Sequence, residues 1–344
     1  MNGVKVFIAL CRILGWITIA LMPLAILGGI AYYGLKGYLF EPLEPGSKKK
    51  VIIEIKPGTG FKAAAKLLER KGIVKVWWSL DLLSRISGNN TIEAGEYNFS
   101  PSMSPEEVLK ALVEGKIYKR TVLFREGESI RVLGSLVEKA GLVSKEEFNK
   151  VLYDPKIIKL AGLGAGSFEG YLFPDTYHFT KPITPKQIIW TMLEKGEKVW
   201  TPAFQRRADE LRMTRHEILT LASMIEKESG NKDEQPLISS VFHNRLAKGM
   251  KLESDPTAVY AIPGFSGKIL KKHLKVSTPY NTYIIYGLPP GPICNPGLSA
   301  IKAALYPADT TYLYFVADGR GGHIFSSTLA EHKRAVEFYR RRRR

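Results

Sequence analysis

Two glutamates flanking a lysine, Glu226-Lys227-Glu228, close a segment whose pattern is helical. Thr214-Arg215-His216-Glu217 opens it as a capping box, with Thr at the cap and Glu three residues on. Ile218, Leu221, Ala222 and Ile225 then form one apolar stripe at helical spacing, and Gly230 is the expected stop. At about 100° per residue, Glu228 falls about 70° to one side of the stripe and Glu226 about 90° to the other, while Lys227 points to solvent. Each glutamate therefore sits at a boundary between core and surface, where a cleft wall would be. A carboxylate in the last turn also faces the negative end of the helix dipole. Burial there would disfavour the charged form twice and raise the pKa, as a general acid working near neutrality requires. The helix by itself leaves two readings open: an acid/base in a cleft, or a solvated Glu-Lys-Glu face.

The segments downstream favour a cleft. Phe242-His243-Asn244-Arg245-Leu246 ends a helix before Gly249. Met250-Lys251-Leu252-Glu253-Ser254-Asp255-Pro256-Thr257, Tyr280-Asn281-Thr282-Tyr283, Gly287-Leu288-Pro289-Pro290-Gly291 and Tyr312 to Gly319 follow. Loops rich in Pro, Gly, Tyr and Asn make rigid turns that project polar and aromatic groups, as a carbohydrate site needs. Other chemistries lack their residues. His216-Glu217 has no second His at metalloprotease spacing, and there is neither a Gly-x-Ser-x-Gly elbow nor a phosphate-binding loop. The two cysteines, Cys11 and Cys294, exclude a disulfide scaffold and a Cys-rich zinc module. No metal and no cofactor is expected.

Elements must position these residues, and the chain has room for roughly two domains in its 344 residues. Hydrophobic residues at 45% and charged residues at 24% are globular values, which exclude a disordered or collagen-like chain. The formal charge is +17, and it stays strongly positive without the run Arg340 to Arg344, so the body is basic. Such a body suits a polyanionic partner: nucleic acid, anionic lipid or an acidic cell-wall polymer.

From Ile13 to Leu35 run 23 uncharged residues, bracketed by Arg12 and Lys36 and flanked by Trp16, Tyr32 and Tyr33. That length crosses a bilayer, and the aromatics suit its interfaces. A cleaved signal peptide would have a shorter apolar core and a small-residue cleavage site. Residues 13–35 therefore read as an uncleaved transmembrane anchor after a short tail, 1–12, with a Pro- and Lys-rich linker over 36–50. Lys5 and Arg12 on one side and Lys36 with Lys48 to Lys50 on the other leave the orientation open on charge.

After the linker the chain repeats itself. At an offset of 69, Ile53 to Gly58 aligns with Val122 to Gly127, and Leu67 to Val74 with Leu136 to Val143. At an offset of 80, Tyr97-Asn98-Phe99 aligns with Tyr177-His178-Phe179, and Ser104-Pro105 with Thr184-Pro185, each a helix start. The second copy is longer by 11 residues around Gly162 to Tyr171, and it gains Glu169, Tyr171, Phe173 and Asp175 before Tyr177. Aromatics stack on sugar faces and carboxylates accept hydroxyl protons. The stretch from Glu169 to Tyr177 is thus expected to wall the same cleft as Glu228.

The motifs from Leu221 to Glu228, Asn244-Arg245-Leu246, Ser254-Asp255-Pro256-Thr257, Tyr280-Asn281-Thr282-Tyr283 and Gly287 to Gly291 together resemble the endolytic murein transglycosylase (YceG-like) family, over nearly the whole chain. The Arg340 to Arg344 tail departs from that pattern. The resemblance implies an α+β fold: a transmembrane helix, a LysM-like region with the duplicated β-α modules over 51–160, a lytic transglycosylase domain over 161–339, and a basic tail over 340–344. It implies a single-pass protein of the inner (plasma) membrane with its catalytic domain outside the cytoplasm. Its substrate is nascent peptidoglycan, its implied partners are glycan strands and peptidoglycan synthases, and nucleic acid is not among them.

By the same resemblance the enzyme is a lyase with one glutamate. The acid protonates the glycosidic oxygen between N-acetylmuramic acid and N-acetylglucosamine. As base it then activates the muramyl C6 hydroxyl, which attacks C1 and leaves a 1,6-anhydro end. Glu228 takes that role, because Glu-Ser is the pair at the end of the catalytic helix in lytic transglycosylases, and Glu226 is the reserve. Glu169, Tyr171, Phe173, Asp175, Tyr177, Ser229, Tyr280, Asn281 and Tyr283 are the expected substrate contacts, with Asn244 and Asp255 holding loops or touching substrate at the margin. The competing readings are a tethered, non-catalytic glycan or polyanion binder and a hydrolysing muramidase, which would use a second carboxylate. If the anchor reading holds, intact-mass measurement of membrane-extracted protein returns a chain that still contains residues 13–35; a mature N-terminus near residue 36 refutes it.

Overall fold

The computed structural model describes residues 2–342 and divides into two compact units. One comprises the chain up to Lys119 together with Thr180–Pro182, the other Arg120–Phe179 and the residues from Ile183 onward.

The first unit opens with helix α1 (Asn2–Leu39), so the short tail before the apolar run is itself helical. Leu14–Leu39, 26 residues, is long and apolar enough to cross a membrane. The helix continues through 36–39, which the sequence reading gave to the linker. Packing is the reason: Leu39 is buried, the Tyr38 ring lies 5.7 Å from that of Trp78, and Lys75 Nζ donates to the Gly37 carbonyl at 3.0 Å. Strand β1 (Val51–Ile55) follows, then α2 (Phe61–Arg70), α3 (Trp77–Ser87), β2 (Gly95–Phe99) and α4 (Pro105–Val113). β1 and β2 pair antiparallel with Ile53 opposite Tyr97. Alternation sends Ile53, Ile55, Tyr97 and Phe99 inward, onto Leu68, Leu80 and Leu112 of the helices. α4 starts at Pro105 because Ser104 and Glu107 form a capping box.

The second unit begins with β3 (Arg120–Phe124), α5 (Leu133–Lys139), α6 (Lys145–Leu152), α7 (Pro155–Leu160), β4 (Asp175–Phe179) and α8 (Pro185–Val199). β3 pairs antiparallel with β4, Val122 opposite Tyr177. In both sheets the Tyr and Phe of the second strand stack, with ring centroids 5.5 Å apart for Tyr97–Phe99 and 5.9 Å for Tyr177–Phe179. In both, the Tyr hydroxyl donates to the carbonyl four residues back, Glu93 or Phe173. α8, like α4, starts on a capping box, here Thr184 with Gln187.

Helices α9 (Pro202–Glu210), α10 (Arg215–Glu228), α11 (Gln235–Ala247), α12 (Asp255–Tyr260) and α13 (Leu298–Leu305) follow, then the hairpin β5 (Tyr314–Ala317) and β6 (His323–Ser326), and α14 (Leu329–Arg342). α10 is the buried axis, with every residue from Ile218 to Ile225 inside. Thr214 and Glu217 cap its start, and Ser229, in extended conformation, ends it one residue before the expected Gly230. Val122, Phe124 and Phe148 share one core with Leu221 and Ala304. The compact units therefore divide after Lys119 and not at the 160/161 boundary, because the second strand pair buries its inner face on the α10 core. Arg340 and Arg341 extend α14, while Met1, Arg343 and Arg344 lie outside the described residues.

Glu169 lies at the centre of this unit with 2% of its surface exposed. It accepts from Ser129 Oγ (2.6 Å), the Ile130 N–H (3.1 Å), Asn295 Nδ2 (2.8 Å) and Tyr260 OH (3.0 Å). Burial pushes its pKa up, and the hydrogen bonds pull against that. Removing the acceptor strands several buried donors, each worth about 1–3 kcal/mol. Glu169→Leu should therefore lower the folding free energy by roughly 3 kcal/mol or more, read as a fall in the denaturant midpoint. A change below 1 kcal/mol would show that the network is dispensable.

Candidate active site

Glu228 ends α10 on the wall of a cleft of about 350 Å³. Arg245 of α11 lines it together with Leu252, Glu253 and Asp255. Tyr283 and, from the C-terminal hairpin and helix, Phe315, Val316, Ala317, His323 and His332 complete the lining. Glu228 is half-buried along its length, but its carboxyl group is enclosed. Loss of hydration pushes its pKa up to about 7; the Asp255 charge adds to the rise and a hydrogen bond from Ser254 opposes it. That bond, Ser254 Oγ to Glu228 Oε1, is 2.5 Å long.

Ser254 is itself fixed. Its N–H donates to Thr282 Oγ1 at 2.9 Å, and its carbonyl accepts from Thr257 Oγ1 at 2.6 Å. Thr257 and Thr282 share a further hydroxyl contact of 2.8 Å, and all three residues are buried. Just before them Glu253 has φ +52°, a left-handed conformation that costs a non-glycine residue about 1 kcal/mol or more. Arg245 holds it there: the buried guanidinium donates to Glu253 Oε2 (3.0 Å) and to the carbonyls of Leu313, Lys251 and Leu252. Asp255 is exposed and accepts from Tyr283 OH at 2.6 Å. The cleft thus offers one enclosed, protonatable carboxyl group, two solvated carboxylates, of Glu253 and Asp255, and several aromatic rings.

Of the residues singled out from sequence, the cleft gathers Glu228, Asp255 and Tyr283. The stretch from Glu169 to Tyr177 is elsewhere. Tyr171 is buried, and its hydroxyl meets His216 Nδ1 at 2.7 Å in the first turn of α10, about 18 Å along the helix from Glu228. Glu169 is saturated by its four donors, and Tyr177 and Phe173 pack in the core. These aromatics join a second strand pair to a core, and that need outweighs any for a sugar wall. Asp175 is held by Lys195 at 2.7 Å, which keeps its pKa low, and lines a different cleft with Glu226. Asn281 is fully buried as a loop strut, donating to the carbonyls of Leu274 and Val276 and accepting from the Tyr283 N–H. Ser229 is a buried cap whose hydroxyl bonds the backbone of Asn231. Tyr280 packs its ring 4.8 Å from that of Tyr260. Asn244 holds the strand-bearing segment, donating to the carbonyls of Thr310 and Tyr312.

Sequence reasoning gave no role to Ser254 or Arg245, although both stand inside quoted motifs. It missed His323 and His332 altogether, since a lone histidine on a hairpin or helix carries no signal of its distant partner.

The YceG-like family matches residues 53–338 of the chain. The chain is 32% identical to the endolytic murein transglycosylase of Bacillus subtilis (strain 168), over 91% of each protein. It is 29% identical to the endolytic murein transglycosylase of Streptococcus pneumoniae serotype 2, covering 92% of this chain but 63% of that longer protein. A crystal structure of a YceG-like protein from Listeria monocytogenes superposes with a TM-score of 0.59 at 32% identity, covering 84% of this chain and 99% of that one.

The raised pKa of Glu228 is also a statement about stability. Between the ordinary value of 4.5 and about 7 the folded protein binds a proton that the unfolded chain has lost, so stability falls as pH rises through that window. Glu228→Gln removes the titration. Its melting stability relative to wild type should be flat below pH 4.5 and rise by about 3 kcal/mol by pH 8. A pH-independent difference would show that the carboxyl group is hydrated.

Proposed function

The chain belongs to the YceG-like family, and from that premise we propose that it is a membrane-anchored lytic transglycosylase that cuts peptidoglycan glycan strands from within. The observation that carries this reading is the enclosed carboxyl group of Glu228, poised to be protonated near neutrality on the wall of an open cleft. The names of the B. subtilis and S. pneumoniae relatives support the same substrate.

The reaction asks little else of the protein. Glu228 gives its proton to the glycosidic oxygen as the bond to C1 of the N-acetylmuramyl ring breaks. The resulting carboxylate then takes the proton of the C6 hydroxyl as that oxygen closes on C1, so a 1,6-anhydro end forms and the acid is restored. Ser254, bonded to Oε1, leaves Oε2 to work. Asp255, held by Tyr283 in the same cleft, is the group to offset positive charge developing on the ring. The rings of Phe315 and Tyr283 offer faces to a pyranose.

The anchor reading places Leu14–Leu39 in the inner membrane with the rest of the chain outside the cytoplasm. The two strand pairs read as two copies of one LysM-like module. Their equivalent registers, their Tyr–Phe stacks and their capping boxes support that reading.

A second reading has one observation in its favour: Asp255 is a second carboxylate in the same cleft, and a hydrolysing muramidase needs one to direct water. Digestion of purified glycan strands with mass spectrometry of the ends separates the two. The lytic reaction gives anhydro ends; hydrolysis gives ends heavier by one water. Glu228→Gln should lower cleavage at least about a hundredfold with native melting retained. Near-normal turnover by that variant, with loss on Glu226→Gln, would move the acid to the other glutamate.

A further inference from the structure

The hairpin of β5 and β6 brings an imidazole to the cleft of Glu228, and a carboxylate at the start of α11 fixes its tautomer. His323 opens β6 and lines that cleft with 14% of its side chain exposed. Glu234, immediately before α11, reaches it with both oxygens. Its Oε1 accepts the His323 backbone N–H at 3.0 Å, and its Oε2 meets His323 Nδ1 at 2.8 Å. A carboxylate has only acceptors to offer, so Nδ1 carries the proton and the neutral ring presents Nε2 as an acceptor. Gly322 leaves room for this approach, since a Cβ there would stand 2.7 Å from Glu234 Oε1. Phe315 meets the imidazole at right angles, with ring centroids 5.4 Å apart.

Nε2 is the polar atom of this ring that nothing uses. It has no partner among the described residues, and it is not one of the enclosed unpartnered atoms, so it is open to solvent. His332, the other histidine of the lining, differs: its Nδ1 is enclosed and its ring stacks on Tyr314 at 5.1 Å. A histidine that merely clipped the hairpin to α11 would need Nδ1 and its backbone N–H alone. Here a ring nitrogen fixed as an acceptor is left unpaired on the lining of the cleft that holds the acid.

We propose that His323 is a substrate-binding residue whose Nε2 accepts a hydrogen bond from the glycan, and that Glu234 is the positioning residue that fixes its tautomer. The assignment rests on the reading of the chain as a peptidoglycan-cleaving enzyme. An N-acetylated glycan carries two kinds of donor, ring hydroxyls and acetamido N–H groups. A hydroxyl can also accept, whereas an amide N–H cannot. A bond to the N–H therefore depends on which ring nitrogen holds the proton, and a bond to a hydroxyl does not.

Substitutions at the two residues use that difference. His323→Asn keeps an amide nitrogen near the place of Nδ1, so the bond to Glu234 survives while Nε2 is deleted. His323→Phe keeps the ring against Phe315 and deletes both nitrogens. Glu234→Gln keeps the shape and turns the tautomer over. Its amide oxygen must take the His323 backbone N–H, so its NH2 donates to Nδ1 and the ring proton moves to Nε2.

Steady-state cleavage of purified, peptide-free glycan strands by the full chain in detergent tests this, with each variant checked for native melting. The pH is one at which the 15N spectrum of histidine-labelled protein shows His323 neutral. His323→Asn and His323→Phe should each raise KM about five- to tenfold and leave kcat within about twofold, because a bond to an uncharged donor is made alike in ground and transition states. In Glu234→Gln the 15N spectrum should show the ring proton on Nε2. An equal rise in KM there identifies the acetamido N–H as the partner, and a KM near wild type identifies a hydroxyl. A wild-type KM in either His323 variant that melts natively overturns the proposal, and an unchanged tautomer in Glu234→Gln overturns the role of Glu234. Wild-type protein that leaves the strands uncut overturns the glycan reading itself, and this inference with it.

Discussion

A single buried carboxylate, held by hydroxyl and N–H donors, organises the second unit. Glu169 gathers donors from the turn after β3, from α12 and from the loop before α13. Asn295 completes the joint by using every atom it has. Its Nδ2 donates to Glu169 and to the Glu128 carbonyl, and its Oδ1 accepts the N–H groups of Gly170 and Leu172. The same loop then grips α10: the Ile293 N–H donates to Ser223 Oγ, Cys294 Sγ to the Ser223 carbonyl, and the Gly297 N–H to Glu226. Each bond is modest alone, but a buried network is all or nothing, because breaking one member strands others. The direction in which α10 points its last turn follows from this joint.

On that fixed helix, two residues of offset separate two kinds of chemistry. Glu228 meets a wall that removes its water and returns one hydroxyl, so protonation near neutrality is favoured. Glu226 meets a backbone N–H and a neighbouring carboxylate. Neither setting comes from the helix, whose dipole acts on both glutamates alike. It comes from what packs against each flank: the Ser254–Thr257–Thr282 hydroxyl cluster on one side and the Asn295–Gly297 loop on the other. The strained backbone at Glu253 is sustained by four donations from Arg245, and it presents Ser254 to Glu228.

The first unit follows a different logic. α1 does not end where its apolar run meets water but continues until Leu39 and Tyr38 find partners on the adjacent helices. A helix seated in this way fixes its direction against the first strand pair, whereas a flexible linker would leave it free. The exposed apolar side chains of Leu14 to Leu35 have no protein to cover them among the described residues, as suits a segment solvated by lipid.

The sequence by itself determined the local structure and narrowed the candidate acid to two glutamates. Capping boxes at Ser104, Thr184 and Thr214 started three helices, and the apolar stripe of α10 fixed which side of it faces the core. These are interactions among residues within a few positions of one another, so a one-dimensional pattern contains them. Helical geometry likewise placed both Glu226 and Glu228 at the edges of the stripe, while the choice of Glu228 between them came from the family resemblance. Tertiary structure decided what surrounds it. Aromatics and carboxylates from Glu169 to Tyr177 carry the composition of a sugar wall, yet Tyr171 is fastened to His216 at the far end of α10 and Glu169 is sealed in the core. The wall that faces Glu228 comes instead from β5, β6 and α14, nearly a hundred residues later, where His323 and His332 gave no pattern to read. Composition records what a side chain could touch. Which solvent it loses and which partners it keeps depends on contacts between distant segments, and only the fold brings those segments together.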